Sequence, residues 1–274
     1  MILSNSYAKV NLFLHVGEKL HDGYHKIDSL MQEITLADEI IVEKRDDKKI
    51  VITSSVPIPL KENLCYKAAE LFMDTYKISS GVSISIKKNI PLGAGLGGGS
   101  SNAATVIKSM NNLFRVHASV DNLIPLGRKI GSDVPFFLFG KSARIQETGE
   151  KITPMSEIPK LWFVLIYPNI PISTKEVYLL WDERGTSTVS QEININSIQD
   201  LIYLMKNDLE EVVFSAYPEL RRIKEPLLDH GACHVMLSGS GSTVFGVFDS
   251  EIHTKKTAEK IKRKEWQIFV AHSV

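Results

Sequence analysis

The glycine-rich run PLGAGLGGGSSNAA, at residues 91–104, constrains this 274-residue chain more than any other segment, because it places five glycines in seven positions. Glycine permits positive φ and lets another group approach the backbone closely. The run lies between a predicted strand and a predicted helix, where backbone N–H groups and the helix dipole together form an anion site. It therefore predicts a phosphate-binding loop, with Ser100 and Ser101 as candidate caps of the helix. A tight turn that only allows close packing is the alternative.

The flanking sequence separates this run from three familiar phosphate-binding motifs. It does not end in Gly-Lys-Ser/Thr, so it is not a Walker loop. Gly93, Gly95 and Gly98 formally give G-x-G-x-x-G, but the acidic residue expected roughly 20 residues later at a strand end is replaced by a second helix. The H-R-D and D-F-G motifs of protein kinases do not occur in the chain. The run therefore predicts phosphate binding but does not by itself indicate which fold carries it.

Residue periodicity predicts an α+β chain. The segments 40–43 and 50–53 flank a charged loop and are interpreted as a hairpin. A change to proline-rich sequence between Thr153 and Pro171 predicts a domain boundary, which gives domains at 1–155 and 156–274. Gly231 is interpreted as a helix stop. The predicted strands are 6–16, 40–43, 50–53, 82–86, 161–167, 234–237, 243–248 and 267–271, and the predicted helices are 63–76, 100–114, 120–130, 201–214, 218–230 and a basic one around 255–264.

The charge balance and the cysteine content limit the class of protein. Thirty-two basic residues match 32 acidic ones and 43% of the residues are hydrophobic, which suits a core of about two domains and argues against a nucleic-acid scaffold. A neutral total does not exclude a local anion site, because glycine N–H groups add nothing to the charge count. Cys65 and Cys233 form no disulfide or zinc pattern. With no signal peptide or membrane span in the sequence, a cytoplasmic protein is expected.

Three further features carry candidate chemistry. Lys9 lies in an apolar, strand-like segment, where its ammonium must reach solvent or a partner charge. Asp133 precedes Val134 and an aromatic run, either as a helix cap or as a carboxylate at a cleft. The SGSGS segment at 238–242 lies between two predicted strands, either as a flexible hairpin turn or as a second wall against which a phosphate could pack.

Together these segments resemble one family, the GHMP kinases. SYAKVNLFLHV (6–16), PLGAGLGGGSSNAA (91–104), IGSDVPFF (130–137) and MLSGSGSTVFGVF (236–248) occur in that family's order and spacing, from residue 6 to about residue 248. The resemblance implies a two-domain α+β fold, with an N-terminal α/β domain that is ribosomal-protein-like and a C-terminal ferredoxin-like α/β sandwich. ATP and substrate would meet in a cleft between these domains.

The segment DGYH at 22–25 sharpens the resemblance to members that phosphorylate a cytidine diphosphate-linked methylerythritol for non-mevalonate isoprenoid synthesis. Met31 departs from the aromatic residue of some members. The resemblance assigns Lys9 and Asp133 to the catalytic pair and assigns substrate contacts to Asn11, Tyr24, His25, Thr174 and Tyr178. It assigns ATP contacts to Asn63, Leu64, Lys88, Pro91, Leu92, Gly93, Ala94, Gly95, Leu96, Gly97, Gly98, Gly99, Ser100 and Ser101.

The implied reaction uses ATP with Mg²⁺. No residue matches the magnesium-binding glutamate of some other members, so the ion is expected on the ATP phosphates, on water and on a loop serine. Asp133 would accept the proton of the substrate hydroxyl, and Lys9 would orient Asp133 and stabilise the transferring group.

Two other functions stay open. One is a mevalonate-type or homoserine-type kinase, against which Tyr24 and His25 argue because an aromatic-imidazole pair suits a planar base. The other is a non-catalytic ligand-sensing module. A monomer or a homodimer without nucleic-acid or membrane partners is expected.

Overall fold

The structure is a computed structural model that describes residues 1–155, 158–184, 195 and 197–274. Strands and helices occur mostly in runs of two or more along the chain, as is typical of an α+β fold. The strands are β1 (Ile2–Lys19), β2 (His25–Arg45), β3 (Ile50–Ser54), β4 (Gly81–Lys87), β5 (Ser142–Glu147), β6 (Lys151–Pro154), β7 (Trp162–Tyr167), β8 (His234–Leu237), β9 (Val244–Phe248) and β10 (Gln267–His272). The helices are α1 (Leu64–Tyr76), α2 (Gly98–Leu113), α3 (Val120–Ile130), α4 (Val134–Phe139), α5 (Thr174–Arg184), α6 (Ile198–Leu204), α7 (Glu210–Ala216), α8 (Pro218–Arg221), α9 (Lys224–Asp229) and α10 (Glu251–Lys260).

These elements form two compact units, and neither unit is a continuous stretch of chain. The first unit comprises Met1–Ala8, Ala37–Ile90 and Gly97–Gly140, and the second comprises Lys9–Leu36, Pro91–Leu96 and Lys141–Val274. Both long strands, β1 and β2, contribute residues to each unit. The division into domains at 1–155 and 156–274 stays a prediction.

In the first unit, the end of β2 pairs antiparallel with β4, and β3 pairs parallel with β4. The predicted hairpin of 40–43 with 50–53 is therefore wrong, because β4 lies between the two strands. The parallel pair needs a crossover, and α1 supplies it between β3 and β4. Helices α1 and α2 pack together, and the largest buried side chains of this unit belong to Phe72, Phe136 and Phe137.

In the second unit, four strands form an antiparallel sheet in the order β10-β7-β9-β8. The first part of β2 pairs with β5, which pairs with β6. The apolar sheet strands and the helices around them bury one core cluster, which includes Val164, Trp181, Val213, Leu227 and Phe248.

Two long helices predicted in this unit are each divided in the structure. The 201–214 segment gives α6 and α7, because the backbone between them leaves the helix to pair with β1: the Leu14 N–H donates to Lys206 O at 2.8 Å, and the Asp208 N–H donates to Leu14 O at 2.9 Å. The 218–230 segment gives α8 and α9, and Pro226 lies in the first turn of α9, where a missing N–H is tolerated. Gly231 has a φ of 82°, as expected of a helix stop.

Other boundaries also differ from the prediction. The basic helix is α10, which ends at Lys260, so that Lys262, Arg263 and Lys264 lie beyond it. Helix α5 was not expected, since its apolar residues show weak periodicity. Over the part of the chain that the structure describes, no helix is long and apolar enough to cross a membrane.

Candidate active site

Five consecutive carbonyl groups of the glycine run are held by hydrogen bonds within the second unit. The partners come from β1, from the end of β7 and the loop after it, and from the turn between β8 and β9, so the loop is fixed along its whole length there. The bonds run from Tyr167 Oη to Leu92 O (3.2 Å), from Ile172 N to Gly93 O (3.3 Å), from Thr243 N to Ala94 O (3.2 Å), from Ser238 Oγ to Gly95 O (3.1 Å) and from Lys9 N to Leu96 O (3.0 Å).

These bonds determine where the N–H groups of the loop point. In a planar trans peptide, the C=O of one residue and the N–H of the next point in opposite directions. The N–H groups of residues 93–97 are therefore turned away from the atoms that hold the carbonyls. Gly93, Gly95 and Gly97 have positive φ and the residues between them do not, an alternation typical of backbone N–H concavities that bind anions.

Gly95 cannot be replaced by a residue with a side chain without moving the loop. Its φ is +75°, and a Cβ built on it would lie 2.2 Å from Ser238 O. The predicted phosphate loop and the SGSGS segment thus pack backbone to backbone. SGSGS is the turn between β8 and β9, and its residues Ser238, Ser240 and Ser242 are buried. The interpretation of SGSGS as a hairpin turn is confirmed, and this turn packs against the glycine run.

In the first unit, the run continues into the N-terminus of α2. Gly97 is the N-cap, with a φ of 69° and no capping side chain. The expected serine cap is therefore wrong: the Ser101 hydroxyl is buried and lies 2.7 Å from Ser6 Oγ, within hydrogen-bonding distance. Ser100 is partly exposed. The 16-residue helix presents unpaired N–H groups and the positive end of its dipole at this terminus.

A buried ion pair between Lys88 and Asp38 contacts the first turns of α2 through Asn102. The Lys88 ammonium bonds to Asp38 Oδ2 and to Asn102 Oδ1 (3.1 Å), and the Asp38 side chain is wholly buried. Asp38 also accepts from the N–H groups of Asn89 (2.7 Å) and Ile90 (2.8 Å) and from Asn102 Nδ2 (2.8 Å). The Lys88 Nζ lies 3.3 Å from a Cβ built on Gly98, so its charge is next to the helix terminus.

Asn63 and Leu64, the other two predicted ATP contacts outside the glycine run, also lie in the first unit. Asn63 is buried and caps α1, since its Oδ1 accepts from Cys65 N at 2.9 Å. A Leu64 methyl carbon lies 3.6 Å from a Cβ built on Gly99. Leu64 and Lys88 thus both border the first turn of α2, whereas Asn63 is used in the helix cap.

Lys9 and Asn11 lie together in β1 of the second unit. Lys9 is only 4% exposed, so its ammonium is held within the protein and does not reach out to solvent. Its Nζ donates to Asn11 Oδ1 (2.5 Å), and Asn11 Nδ2 donates to Ser29 Oγ (2.8 Å), which donates to Phe13 O (2.7 Å). This chain fixes the orientation of the Asn11 amide. A Cβ built on Gly239 would lie 3.3 Å from the Lys9 Nζ, so glycine leaves room beside the ammonium.

Asp133 stands at the N-cap position of α4, in the first unit. Its side chain makes no capping hydrogen bond, which contradicts the interpretation as a helix cap. The residue is partly exposed, and the apolar helix that follows it is buried. The backbone thus presents a carboxylate at the start of a rigid, buried helix.

The predicted substrate residues of the second unit fall into two groups. His25 is buried and stacks on Tyr178 with ring centroids 5.1 Å apart, while the neighbouring Tyr24 ring is 61% exposed. Thr174 begins α5 one turn before Tyr178, and its Oγ1 lies 2.8 Å from Ser240 Oγ. Met31 is buried in β2 opposite Ala143.

Sequence reasoning missed Asp182, the partner of His25. His25 Nε2 lies 2.8 Å from Asp182 Oδ1, and the Lys19 ammonium bonds to the other carboxylate oxygen. These bonds, led by the one from Lys19, lower the pKa of Asp182 although partial burial opposes them. Asp182 follows Tyr178 by four residues, which places both on one face of a helix. Because α5 was not predicted, this spacing could not be used to select Asp182.

The described residues offer no cluster of side chains that could hold a metal ion by itself. Within residues 1–155, 158–184, 195 and 197–274, no group of three or more His, Cys, Asp or Glu side chains could hold an ion. An ion bound with a nucleotide needs fewer protein ligands, because phosphate oxygens complete an octahedral Mg²⁺ shell. Ser100, partly exposed at the α2 terminus, is the loop serine that fits such a shell.

Comparison with known proteins places the chain in a family. The GHMP kinases N terminal domain matches residues 63–141, and the GHMP kinases C terminal domain matches residues 189–267. A protein of Clostridium botulinum (strain Kyoto / Type A2) named 4-diphosphocytidyl-2-C-methyl-D-erythritol kinase is 40% identical over 280 residues, covering 100% of both chains.

Solved structures agree with this result. A crystal structure of 4-(cytidine 5'-diphospho)-2C-methyl-D-erythritol kinase superposes with a TM-score of 0.84 at 31% identity, covering 99% of both chains. A homoserine kinase from Cytophaga hutchinsonii reaches a TM-score of 0.71 at 18% identity, covering 97% of this chain and 94% of its own, which shows a shared fold alone. The chain belongs to the GHMP kinases, ATP-dependent enzymes that phosphorylate small molecules, and within them to the family of the 4-diphosphocytidyl-2-C-methyl-D-erythritol kinases. The resemblance drawn from the motifs, and the α+β fold that it implied, are confirmed.

Proposed function

We propose that this protein transfers the γ-phosphate of ATP to the tertiary hydroxyl of 4-diphosphocytidyl-2-C-methyl-D-erythritol, giving the 2-phosphate and ADP in non-mevalonate isoprenoid synthesis. The observation that carries the ATP half is the glycine loop itself: its carbonyls at 92–96 are bound by the protein, so the N–H groups that follow them point away from those bonds and can meet an anion. The full-length relatives at 40% identity support the substrate.

ATP would bind with its phosphates on residues 91–101. The glycine N–H groups and the α2 terminus would hold the β- and γ-phosphates, as helix termini do. Leu64 and Lys88, at the first turn of α2, would lie toward adenosine, together with Asn63. Mg²⁺ supplies charge neutralisation on the phosphates when bound, and the Ser100 hydroxyl would be its protein ligand.

The catalytic roles are assigned to Asp133 and Lys9. Asp133 accepts the proton of the tertiary hydroxyl as the hydroxyl oxygen forms its bond to the γ-phosphorus, and the bond from that phosphorus to the bridging oxygen of ADP breaks. A carboxylate is a weak base, but the loose transition state of phosphoryl transfer needs little proton transfer early. The Lys9 ammonium, held by Asn11, stabilises charge on the transferring group.

The substrate residues are assigned by their chemistry. Tyr24 and Tyr178 would stack on the cytosine, because one ring is exposed and the other already lies against His25. His25 would bond the edge of the base. Asn11 and Thr174 would hold the methylerythritol and diphosphate portions. A cytoplasmic monomer or homodimer is part of the same proposal.

A substrate panel tests this function. ADP release is measured with the cytidyl substrate, with mevalonate and with homoserine, at matched concentrations. Turnover of the cytidyl substrate alone is expected. Preferred turnover of mevalonate or homoserine would replace the proposal by the second kinase function, and ATP binding without turnover of any of them would favour a ligand-sensing module.

A Tyr24→Ala variant sharpens the test. Loss of one stacked base contact, about 1–3 kcal/mol, predicts a KM for the cytidyl substrate raised about 5- to 150-fold. The KM for ATP should stay as in the wild type. Unchanged kinetics with the cytidyl substrate would contradict the stacking role.

A further inference from the structure

The ring of His25 is held by one specific partner. His25 begins β2 and is 7% exposed, and its Nε2 lies 2.8 Å from Oδ1 of Asp182 in α5. The Tyr178 ring packs beside it with an interplanar angle of 33°. The imidazole therefore has little freedom to turn, and the two ring nitrogens are in different surroundings.

The Asp182 carboxylate can only accept in this contact. The Lys19 ammonium bonds to its second oxygen and keeps the pKa of Asp182 below its usual value, so the group is ionised at neutral pH. An ionised carboxylate has no proton to donate. The proton of the contact must then be on Nε2, and a neutral imidazole with Nε2–H has a bare lone pair on Nδ1.

We propose that Asp182 is a positioning residue that fixes His25 in the Nε2–H form, so that Nδ1 accepts a hydrogen bond from the exocyclic amino group of cytosine. This rests on the proposed function, and it names the group that selects the base. Cytosine carries an N–H donor at C4, where uracil carries a carbonyl acceptor. If uracil bound, its C4 carbonyl would face the Nδ1 acceptor, and both groups would stay without a hydrogen bond. Such unpaired groups are the basis of strong rejection of the wrong base.

The tautomer can be measured without any substrate. Side-chain ¹⁵N spectra of the full-length protein are recorded at about pH 8, where an ordinary histidine is neutral, and the His25 signals are assigned by their loss in His25→Gln. A protonated Nε2 and an unprotonated Nδ1 are expected. The Nδ1–H tautomer, or a ring protonated on both nitrogens, would overturn the proposal. Because no turnover is involved, this result is independent of the proposed function.

Kinetics then test the role of Asp182. Asp182→Ala is compared with Glu183→Ala, which removes the same charge from the next, exposed position of α5. Asp182→Ala should raise the KM for the cytidyl substrate about tenfold, the equivalent of one hydrogen bond. The KM for ATP and kcat should change by less than about twofold, and Glu183→Ala should match the wild type.

Base selectivity gives the deciding readout. The ratio of kcat/KM for the cytidyl substrate to that for its uridyl analogue should fall in Asp182→Ala by about the same tenfold factor. Equal losses toward both substrates, or a fall in kcat with an unchanged KM, would mean that Asp182 only supports the structure. Thermal melting of each variant shows whether it is folded. Turnover of neither pyrimidine substrate by the wild type would instead reject the proposed function.

Discussion

The buried ion pair under α2 allows a prediction with an internal control. Asp38 and Lys88 are paired with side chains 0% and 3% exposed, whereas their chain neighbours Glu39 and Lys87 are paired at 2.6 Å with side chains 44% and 65% exposed. Adjacent residues of β2, and adjacent residues at the end of β4, thus carry one buried and one exposed carboxylate-lysine pair. Removing each carboxylate separates the effect of burial from that of charge.

Asp38→Ala should be strongly destabilising. It leaves the Lys88 ammonium buried without its carboxylate, and the N–H groups of Asn89 and Ile90 lose their acceptor. Breaking a buried pair in this way costs about 3–5 kcal/mol. That is a large part of the roughly 5–15 kcal/mol by which folded domains are stable. Glu39→Ala should cost no more than about 1 kcal/mol, as exposed pairs do.

The measurement is urea unfolding followed by far-UV circular dichroism. All three tryptophans, Trp162, Trp181 and Trp266, belong to the second unit, so tryptophan fluorescence reports that unit separately. The free energy of unfolding from circular dichroism should fall by about 4 kcal/mol in Asp38→Ala. Adding Lys88→Met should recover part of this loss, because the unpaired charge is removed. A loss in Asp38→Ala equal to that in Glu39→Ala would refute the reasoning.

Three further predictions concern the loop, the proposed base and the thiols. Gly95→Ala should abolish ATP binding, measured by calorimetry, because the new Cβ would meet Ser238 O at 2.2 Å in a backbone of positive φ. Asp133→Asn should lower kcat about 100-fold or more, the usual size of general-base catalysis, while ATP affinity stays near the wild-type value. At about pH 8, iodoacetamide should label Cys233, which is exposed, and spare Cys65, whose pKa burial raises to about 12.

Each of these predictions has a clear contrary outcome. Wild-type ATP affinity in Gly95→Ala would mean that the loop tolerates movement. A near-wild-type kcat in Asp133→Asn would exclude its role as base. The pKa of Cys233 is also raised by partial burial, so its labelling should increase with pH. Equal labelling of Cys65 in the folded protein would show that its helix opens readily.

Local patterns predicted those elements whose signals are themselves local. Helix α3 spans 120–130 and β8 spans 234–237, as periodicity indicated. The pairing of β3 was missed because its partner, β4, comes after a helix and no residue pattern encodes the order of strands. Whether Lys9 reaches solvent or a partner stayed open for the same reason, since its neighbours Leu96 and Gly239 come from distant segments.

The candidate site residues could be proposed from the sequence to a similar extent, and their roles stay predictions. The glycine run, Lys9 and Asp133 could be selected from motifs, and the clustering of His25 with Tyr178 agrees with their assignment to one substrate region. The partners that fix these groups could not be selected. His25 and Asp182 are 157 residues apart, and Gly95 and Ser238 are 143 residues apart. Only the folded backbone brings such pairs into contact.

The division of the second unit along the chain affects its synthesis. Residues of β1, which leave the ribosome early, bond to the backbone near residues 206–208, and the carbonyls of the glycine run wait for Ile172, Ser238 and Thr243. A nascent chain therefore cannot complete the bonds of this loop until residues 238–243 have emerged from the exit tunnel. Nucleotide cannot assist folding before that point, and the earlier strands depend on remaining soluble, or on chaperones, until their partners arrive.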